Sequence, residues 1–205
     1  MIDGGDGFDT VFGQFNAASY LDLADQSKNG GVFEGDIFIG VEAFSGSAVA
    51  DRLVGDSTAN AFAGNMGADT LRGRGGDDVL GGGIDEDLLT GGKGDDTFVL
   101  FSNFDPDADT ITDFGKGDDL LEVWANLFGV TEENFVLVSG SEPTASGAGP
   151  QFLFDTDDGR LQFDEDGAGG EAPHLVATLL GVTSLSAEDF VFTGELPGVS
   201  ASFVI

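Results

Sequence analysis

A nine-residue repeat constrains the fold of this chain more than any other feature of its sequence. From Gly46 the chain divides into six consecutive units: GSAVADRLV, GDSTANAFA, GNMGADTLR, GRGGDDVLG, GGIDEDLLT and GGKGDDTFV. A seventh unit, GGDGFDTVF, stands alone at residues 4–12. In all six consecutive units the sixth residue is Asp or Asn and the eighth is Leu or Phe. This double regularity predicts a stack of repeated structural units and argues against a glycine-rich linker.

Each unit predicts a glycine-rich turn followed by a strand of about three residues. Glycine permits the left-handed backbone of such a turn and leaves its carbonyl groups accessible to a ligand. Two units then form one coil with two turns and two strands, and coils stack at the strand spacing of roughly 4.8 Å. Side chains alternate along a strand, so the eighth residues point inward together. We expect one sheet to be lined by Leu53, Leu71 and Leu89, and the other by Phe62, Leu80 and Phe98.

The same stacking places the turn aspartates in columns, with Asp69 above Asp87 and Asp78 above Asp96. Two like charges about 10 Å apart at an effective dielectric near 20 repel each other by roughly 1.7 kcal/mol. A Ca²⁺ ion between stacked turns reverses this penalty and gathers the six to eight oxygens that it prefers. Folding and metal binding are therefore expected to be one coupled event.

The charge balance points to a cation as the partner. Seven Lys and Arg oppose 38 Asp and Glu, which gives a formal net charge of −31. Nucleic acid and anionic membranes are themselves polyanions and are poor partners for such a chain. Oxygen ligands favour Ca²⁺ or Mg²⁺ over zinc or copper, and the absence of Cys excludes disulfides and thiolate sites. A merely acidic or salt-adapted surface is the alternative explanation.

The units resemble those of the RTX (repeat-in-toxin) family, whose consensus is G-G-x-G-x-D-x-U-x. The resemblance implies an all-β chain that forms a right-handed parallel β-roll, with several calcium ions each held between a turn and the turn 18 residues later. The best sites then join turns 64–69 with 82–87, and 73–78 with 91–96. It also implies three regions: irregular coils at 1–45, the regular roll at 46–99, and a β-rich capping and secretion domain at 100–205.

The resemblance assigns calcium-ligand roles mainly to the glycines and acids of these turns. Turns 46–51 and 55–60 retain one glycine each and Asn60 lacks a charge, so we expect weak binding or none there. Asp85 replaces a glycine, which is tolerated because Asp adopts positive φ better than most residues. The candidate ligands are Asp9, Gly64, Gly67, Asp69, Gly73, Gly75, Gly76, Asp78, Gly82, Asp85, Asp87, Gly91, Lys93, Asp96, Asp109, Asp113 and Asp118.

The flanking segments break the period. Residues 13–45 carry predicted strands around 20–23 and 37–39 and resemble the irregular coils upstream of regular RTX repeats. Residues 109–120 resemble the segment that closes RTX rolls, although solvated acids beside a strand are an open alternative. The features predicted further on are a short capping helix at Trp124, Leu127 and Phe128, a hairpin of strands 151–154 and 160–163, and half of an EF-hand-like loop at Asp164 and Asp166.

Residues 151–193 resemble the C-terminal domain of type I secreted proteins, whose export signal is C-terminal and uncleaved. This resemblance agrees with the absence of a signal-peptide pattern after Met1, and no apolar run has the length of a membrane span. The sequence starts inside a repeat, so we expect a fragment of a larger secreted protein. The predicted partners are calcium ions and the type I secretion machinery.

No catalytic motif accompanies the repeats, which predicts that the chain is not an enzyme. Its one histidine, His174, lies between Pro and Leu, and neither Gly-x-Ser-x-Gly nor His-Glu-x-x-His occurs. The leading hypothesis is a calcium-binding module that supports secretion and stability of its parent. The alternatives are a carbohydrate-binding or adhesive module that uses Trp124 or Tyr20, and the non-catalytic tail of a secreted hydrolase or epimerase.

Overall fold

Short strands are the main regular structure of the computed structural model, which describes residues 1–100 and 108–193. A single helical turn, α1 (Ala125–Phe128), and two 3₁₀ turns, Gln26–Lys28 and Ala187–Asp189, accompany the strands. In chain order the strands are β1 (Ile2–Asp3), β2 (Thr10–Phe12), β3 (Ser19–Asp22), β4 (Gly30–Gly31), β5 (Phe38–Ile39), β6 (Ala43–Ser45), β7 (Arg52–Val54), β8 (Ala61–Met66), β9 (Thr70–Arg72), β10 (Val79–Ile84), β11 (Leu88–Thr90), β12 (Thr97–Leu100), β13 (Asp109–Ile111), β14 (Leu120–Trp124), β15 (Leu137–Gly140), β16 (Gln151–Asp155), β17 (Arg160–Asp164), β18 (His174–Leu179) and β19 (Phe190–Thr193).

From β6 to β14, successive strands alternate between two facing sheets, while β1 and β5 pair with each other in a separate two-stranded sheet. The first sheet has the order β2-β6-β8-β10-β12-β14-β19, and every neighbouring pair in it is parallel. The second has the order β4-β3-β7-β9-β11-β13-β18-β17-β16-β15, with parallel pairing from β3 to β18. The chain thus winds from sheet to sheet and advances one strand per coil. This is the parallel β-roll predicted from the nine-residue units.

The core between the sheets consists of two ladders of eighth-position side chains. Phe62 pairs with Leu80 and Leu80 with Phe98 in the first sheet, as predicted. Leu53, Leu71 and Leu89 form the corresponding ladder in the second sheet, which is also confirmed. The ladders are continued in both directions by buried residues outside the regular repeats: Phe44 and Leu121 in the first sheet, and Leu21 and Ile111 in the second.

Two local predictions need correction. Strands β8 and β10 have six residues each, because their pairing continues through the turn, where Gly83 aligns with Asn65. The predicted capping helix is only one turn long and does not include Trp124. That residue ends β14 and is buried, because Leu120–Trp124 forms a strand within a parallel sheet.

The chain leaves the roll after β14 and later returns to it. The excursion contains α1, β15 and the predicted hairpin, which forms as the antiparallel pair β16–β17. Strand β18 then pairs with β13, and β19 pairs with β14, so the parallel part of each sheet gains one more strand. Phe128, Phe152 and Phe163 pack ring against ring at this end of the core. The three-part division of the chain stays a prediction.

Within the described residues, no helix has the length and apolar character needed to cross a membrane.

The alternation of side chains can be tested at one pair of neighbours in β11. We expect Leu89→Ala to lower the free energy of unfolding by about 2–5 kcal/mol, because Leu89 is 1% exposed and lies in the core ladder. Leu88→Ala is the matched control, with an expected change within about 0.5 kcal/mol, because Leu88 is 42% exposed. Urea unfolding in excess calcium measures both values. Equal losses would contradict the inward orientation of Leu89.

Candidate metal centre

The four turns 64–69, 73–78, 82–87 and 91–96 owe their shape to left-handed backbone at their second and fourth residues. In turn 91–96, φ is +120° at Gly92 and +122° at Gly94. In turn 82–87, φ is +118° at Gly83 and +83° at Asp85. Residues with a Cβ rarely adopt these angles, so the glycines of the repeat follow from the turn. Asp85 does occupy a glycine position with positive φ, as predicted.

The sixth residue of each turn hydrogen-bonds to the backbone of the preceding coil. At one edge of the roll, Asp69 Oδ1 accepts from the Asp51 N–H at 2.6 Å, and Asp87 Oδ1 accepts from the Asp69 N–H at 2.7 Å. At the other edge, the same contact joins Asp78 to Asn60 and Asp96 to Asp78. We call these buried residues the first column (Asp51, Asp69, Asp87 and Asp109) and the second column (Asn60, Asp78, Asp96 and Asp119).

The other carboxylate oxygen lies over the first glycine of its own turn. Asp69 Oδ2 and the carbonyl oxygen of Gly82 both lie so close to Gly64 that a Cβ there would collide with them. Asp78 Oδ2 and the carbonyl oxygen of Gly91 crowd Gly73 in the same way. Oxygens from two successive turns therefore converge over a residue that has no side chain, which leaves a small cradle of oxygen atoms.

These inner oxygens lack hydrogen-bond donors. Among the residues that the structure describes, neither Asp69 Oδ2 nor Asp78 Oδ2 accepts a hydrogen bond, although both atoms are buried. A buried carboxylate with one unsatisfied oxygen and no counter-charge is destabilising, and a bound cation removes that cost. An all-oxygen donor set of carboxylates and carbonyls fits Ca²⁺, which binds such ligands with flexible geometry.

Burial also changes the acidity of the column residues in the absence of a cation. It raises the pKa of Asp69 to about 8, and the neighbouring charge of Asp87 acts in the same direction. Burial likewise raises the pKa of Asp78 to about 8 and that of Asp96 to about 6. Protons and calcium therefore compete for the same carboxylates, so we expect calcium binding to release protons at neutral pH.

Backbone carbonyls are needed to complete each site. In the described ranges, no three or more Asp, Glu or His side chains gather around a common point. Each turn instead contributes a single buried Asp or Asn to its column. Predicted ligands without an acidic side chain, such as Gly67, Gly75 and Gly76, are able to contribute carbonyl oxygens. The same holds for Lys93, whose exposed ammonium group has no lone pair to offer.

The columns continue beyond the regular repeats, with one change from the prediction. Asp109 Oδ1 accepts from the Asp87 N–H at 3.2 Å, so Asp109 extends the first column. Asp118 is exposed and lies outside the second column. Its place is taken by Asp119, which is not among the predicted ligands and whose Oδ1 accepts from the Asp96 N–H at 2.9 Å. The sequence feature that could have identified Asp119 is its position two residues before the buried Leu121.

Asp113 and Asp9 occupy related positions. Asp113 is buried at the start of its turn, where its Oδ1 accepts from the Gly91 N–H at 3.0 Å and its Oδ2 pairs with Lys116 at 3.3 Å. The Asp9 N–H donates to Glu42 Oε2 at 3.1 Å, which matches the contact of the columns. Glu42 is not among the predicted ligands, because its unit falls outside the regular period.

Asp51 and Asp164, the first acid of the half EF-hand, each accept hydrogen bonds from two backbone N–H groups. In Asp51 both carboxylate oxygens are bound in this way, one by the backbone of Ser19 and the other by that of Ser47. Asp164 Oδ1 accepts from the backbone N–H groups of Asp166 and Gly167. These oxygens have hydrogen-bond donors without a metal ion.

A groove of about 230 Å³ on the outer face of the first sheet has no charged residue in its lining. Phe12, Phe15, Met66, Ile84 and Trp124 are among its lining residues. It is chemically distinct from the turns and offers no carboxylate to a cation.

Comparison with known proteins identifies the class of repeat. The model of the RTX calcium-binding nonapeptide repeat matches in four copies, over residues 1–15, 45–80 and 63–98. The chain therefore carries RTX calcium-binding nonapeptide repeats on a parallel β-roll, and these repeats bind several calcium ions.

One solved structure similar to this chain is the AlgE6R2 subunit of the mannuronan C5-epimerase of Azotobacter vinelandii, determined in solution. The two share 27% sequence identity with a TM-score of 0.50, over 76% of this chain and 94% of that one. In all, 27 chains of solved structures match. No curated protein matches the sequence.

The raised pKa values of the column residues give the stability a pH dependence with a definite sign. In excess chelator, we expect the free energy of unfolding to fall as the pH rises from about 4 to about 8. Asp69 and Asp78 have pKa values of about 8 in the folded chain against an ordinary value of 3.8, so the folded chain holds more protons across this window. Urea unfolding from pH 4 upward measures the trend. A free energy that is constant over this range would contradict the burial of these carboxylates.

Two substitutions in turn 82–87 separate the effect of the column carboxylate from the effect of the net charge. We expect Asp87→Asn to weaken calcium binding by roughly tenfold or more, because the affinity of calcium sites depends on the number of charged ligands. Glu86→Gln is the matched control, since Glu86 is exposed in the same turn and its loss changes the net charge equally. Isothermal titration calorimetry measures both affinities. An equal loss in the two variants would assign the effect to long-range charge.

Proposed function

We propose that this chain is an extracellular module whose calcium-driven folding supports type I secretion and the stability of a larger parent protein. The observation that carries the proposal is the pair of buried oxygens, Asp69 Oδ2 and Asp78 Oδ2, that accept no hydrogen bond among the described residues. Each lies in a different column, so both edges of the roll require a cation or a proton.

The column carboxylates make folding depend on the calcium concentration, which differs between the inside and the outside of a cell. Without a cation, each added coil brings another carboxylate into a buried edge, and stacking is opposed by desolvation and by like charge. Extracellular calcium modules work at about 10⁻⁴ to 10⁻³ M, far above the calcium level inside cells. The chain then stays loose during export and folds after it has reached the outside, which suits passage through a secretion channel.

The role as part of a larger protein is supported by the solved relative. That structure is a subunit of a mannuronan C5-epimerase, and this chain matches 94% of it. By analogy, we propose that the present chain is a non-catalytic module attached to a secreted enzyme such as an epimerase or hydrolase. Its one histidine, His174, is exposed at the start of β18, and no acid is hydrogen-bonded to it among the described residues.

The carbohydrate-binding alternative has less support. Trp124 is 7% exposed and packed at the end of β14, so its ring does not offer a stacking face. Tyr20 is 45% exposed, but it is a single aromatic side chain on β3. The net charge of −31 also opposes the approach of an acidic polysaccharide.

A calcium titration followed by far-ultraviolet circular dichroism tests the proposed function. We expect a cooperative rise in β-sheet signal with Ca²⁺ at neutral pH and little change with the same concentrations of Mg²⁺, which prefers smaller and more rigid octahedral sites. A chain that shows its full β-sheet signal in excess chelator at neutral pH would contradict calcium-driven folding.

A further inference from the structure

Arg74 occupies a backbone position that disfavours it. It is the second residue of turn 73–78 and has φ of +78°, whereas Gly83 and Gly92 stand at the equivalent positions of the next two turns. A long side chain with positive φ is strained, so its presence here calls for a compensating contact.

The guanidinium group of Arg74 makes that contact across two neighbouring coils. Its Nη1 and Nη2 donate to Asp22 Oδ1 and Oδ2 at 2.9 and 3.0 Å, and Nη1 also donates to the carbonyl oxygen of Gly55 at 3.1 Å. Asp22 is 1% exposed. Asp22 ends β3, Gly55 follows β7 and Arg74 follows β9, and these strands are consecutive in the second sheet. The side chain therefore joins three successive levels of one edge.

The oxygens that Arg74 contacts are of the same kind as those that converge over Gly64 and Gly73. A buried carboxylate and a first-position carbonyl converge on the guanidinium, just as a carboxylate and a carbonyl converge at Gly73 in the next level. The turn between them, 55–60, has Asn60 in the column and so lacks the charge that a calcium ion requires. Asn60 Oδ1 instead accepts from the Asp56 N–H at 3.1 Å.

Side-chain hydrogen bonds also hold the neighbouring loop. The Asp22 N–H donates to Asn29 Oδ1 at 2.8 Å, and Asn29 Nδ2 donates to the carbonyl oxygen of Asp36 at 3.0 Å. Gln26 makes two hydrogen bonds with the backbone of Phe38, one as donor and one as acceptor. The Phe38 ring packs edge to face against Phe44 in the core.

We propose that the guanidinium of Arg74 is a built-in cation that takes the place of a calcium ion at the N-terminal end of this edge. It holds the coils of β3, β7 and β9 together before calcium is present, and these coils then serve as the template on which the calcium-dependent coils stack. The inference rests on the proposed function, because a template is needed only if the later coils wait for calcium.

Hydrogen exchange of the full chain in excess chelator tests the tether. The reporters are the Leu23 N–H, which donates to the Val54 carbonyl, and the Gly55 N–H, which donates to the Arg72 carbonyl. We expect Arg74→Gly to reduce their protection by about tenfold or more, since hydrogen bonds to a charged group are lost. Glycine relieves the backbone strain, so any loss of protection comes from the guanidinium. Unchanged protection in this variant would overturn the proposal.

Arg72→Gln is the matched control for charge. Arg72 is exposed two residues earlier in the chain, and its replacement removes the same unit of positive charge. We expect it to leave the reporter amides unchanged. An equal loss of protection in this variant would assign the effect to the net charge of the chain and would likewise overturn the tether.

The number of bound calcium ions tests the replacement itself. The double variant Asn60→Asp, Arg74→Gly restores the column carboxylate of turn 55–60 and the second-position glycine of turn 73–78, and we expect calorimetry to find one more calcium ion per chain than in the wild type. Asn60→Asp alone should add none, because the guanidinium still fills the position. An extra ion in the single variant, or none in the double variant, would show that Arg74 does not stand in for calcium.

The two proposals fail in different ways. A wild-type chain that is already folded in chelator would end the proposed function, while the exchange comparison would still report on the Arg74–Asp22 contact. A wild type that folds on calcium addition, together with reporter amides whose protection is unchanged in Arg74→Gly, would contradict the proposed role of Arg74 and leave the proposed function standing.

Discussion

The hydrogen bond from one turn's carboxylate to the preceding coil's backbone is the interaction on which the rest of this structure depends. Asp69 Oδ1 accepts the Asp51 N–H, and Asp87 Oδ1 accepts the Asp69 N–H. The contact fixes the register between coils, so that Leu53, Leu71 and Leu89 fall on top of one another in the core. It also buries the second carboxylate oxygen, which makes the edge depend on a cation. One residue in nine thus sets both the fold and its need for metal.

The regular part of the roll is predictable from sequence because every restraint in it has the same period. The Asp, the eighth-position apolar residue and the left-handed turn residues recur together, so columns, ladders and both sheets follow. The period fails where insertions lengthen a coil. Asp119 is the next member of the second column, although it lies 23 residues after Asp96. The sequence feature that identifies it is local: it is an acid two residues before a buried Leu. Glu42, two residues before Phe44, escapes prediction for the same reason.

The C-terminal half is harder to predict, because strands that pair in parallel across a long intervening segment share no local sequence pattern. Nothing in the sequence of β18 specifies that it pairs with β13, since the hydrogen bonds of a parallel pair join segments far apart in the chain. Trp124 shows a related difficulty. Its position among apolar residues fits the face of a helix, but a strand buried on both faces has the same composition, and tertiary context decides between them.

A stack of coils in which each coil contacts only its neighbours needs ends that are stable by themselves. The middle coils bring buried carboxylates together, and Asp69 Oδ2 and Asp78 Oδ2 accept no hydrogen bond among the described residues. The two ends differ from the middle in chemistry. At one end, Arg74 supplies an internal positive charge to Asp22 and side chains hold the adjoining loop. At the other, the rings of Phe128, Phe152 and Phe163 close the core. Neither set of contacts involves a column carboxylate, so the proposed function places the calcium dependence in the middle of the roll, while ordinary packing and ion pairing fix its boundaries.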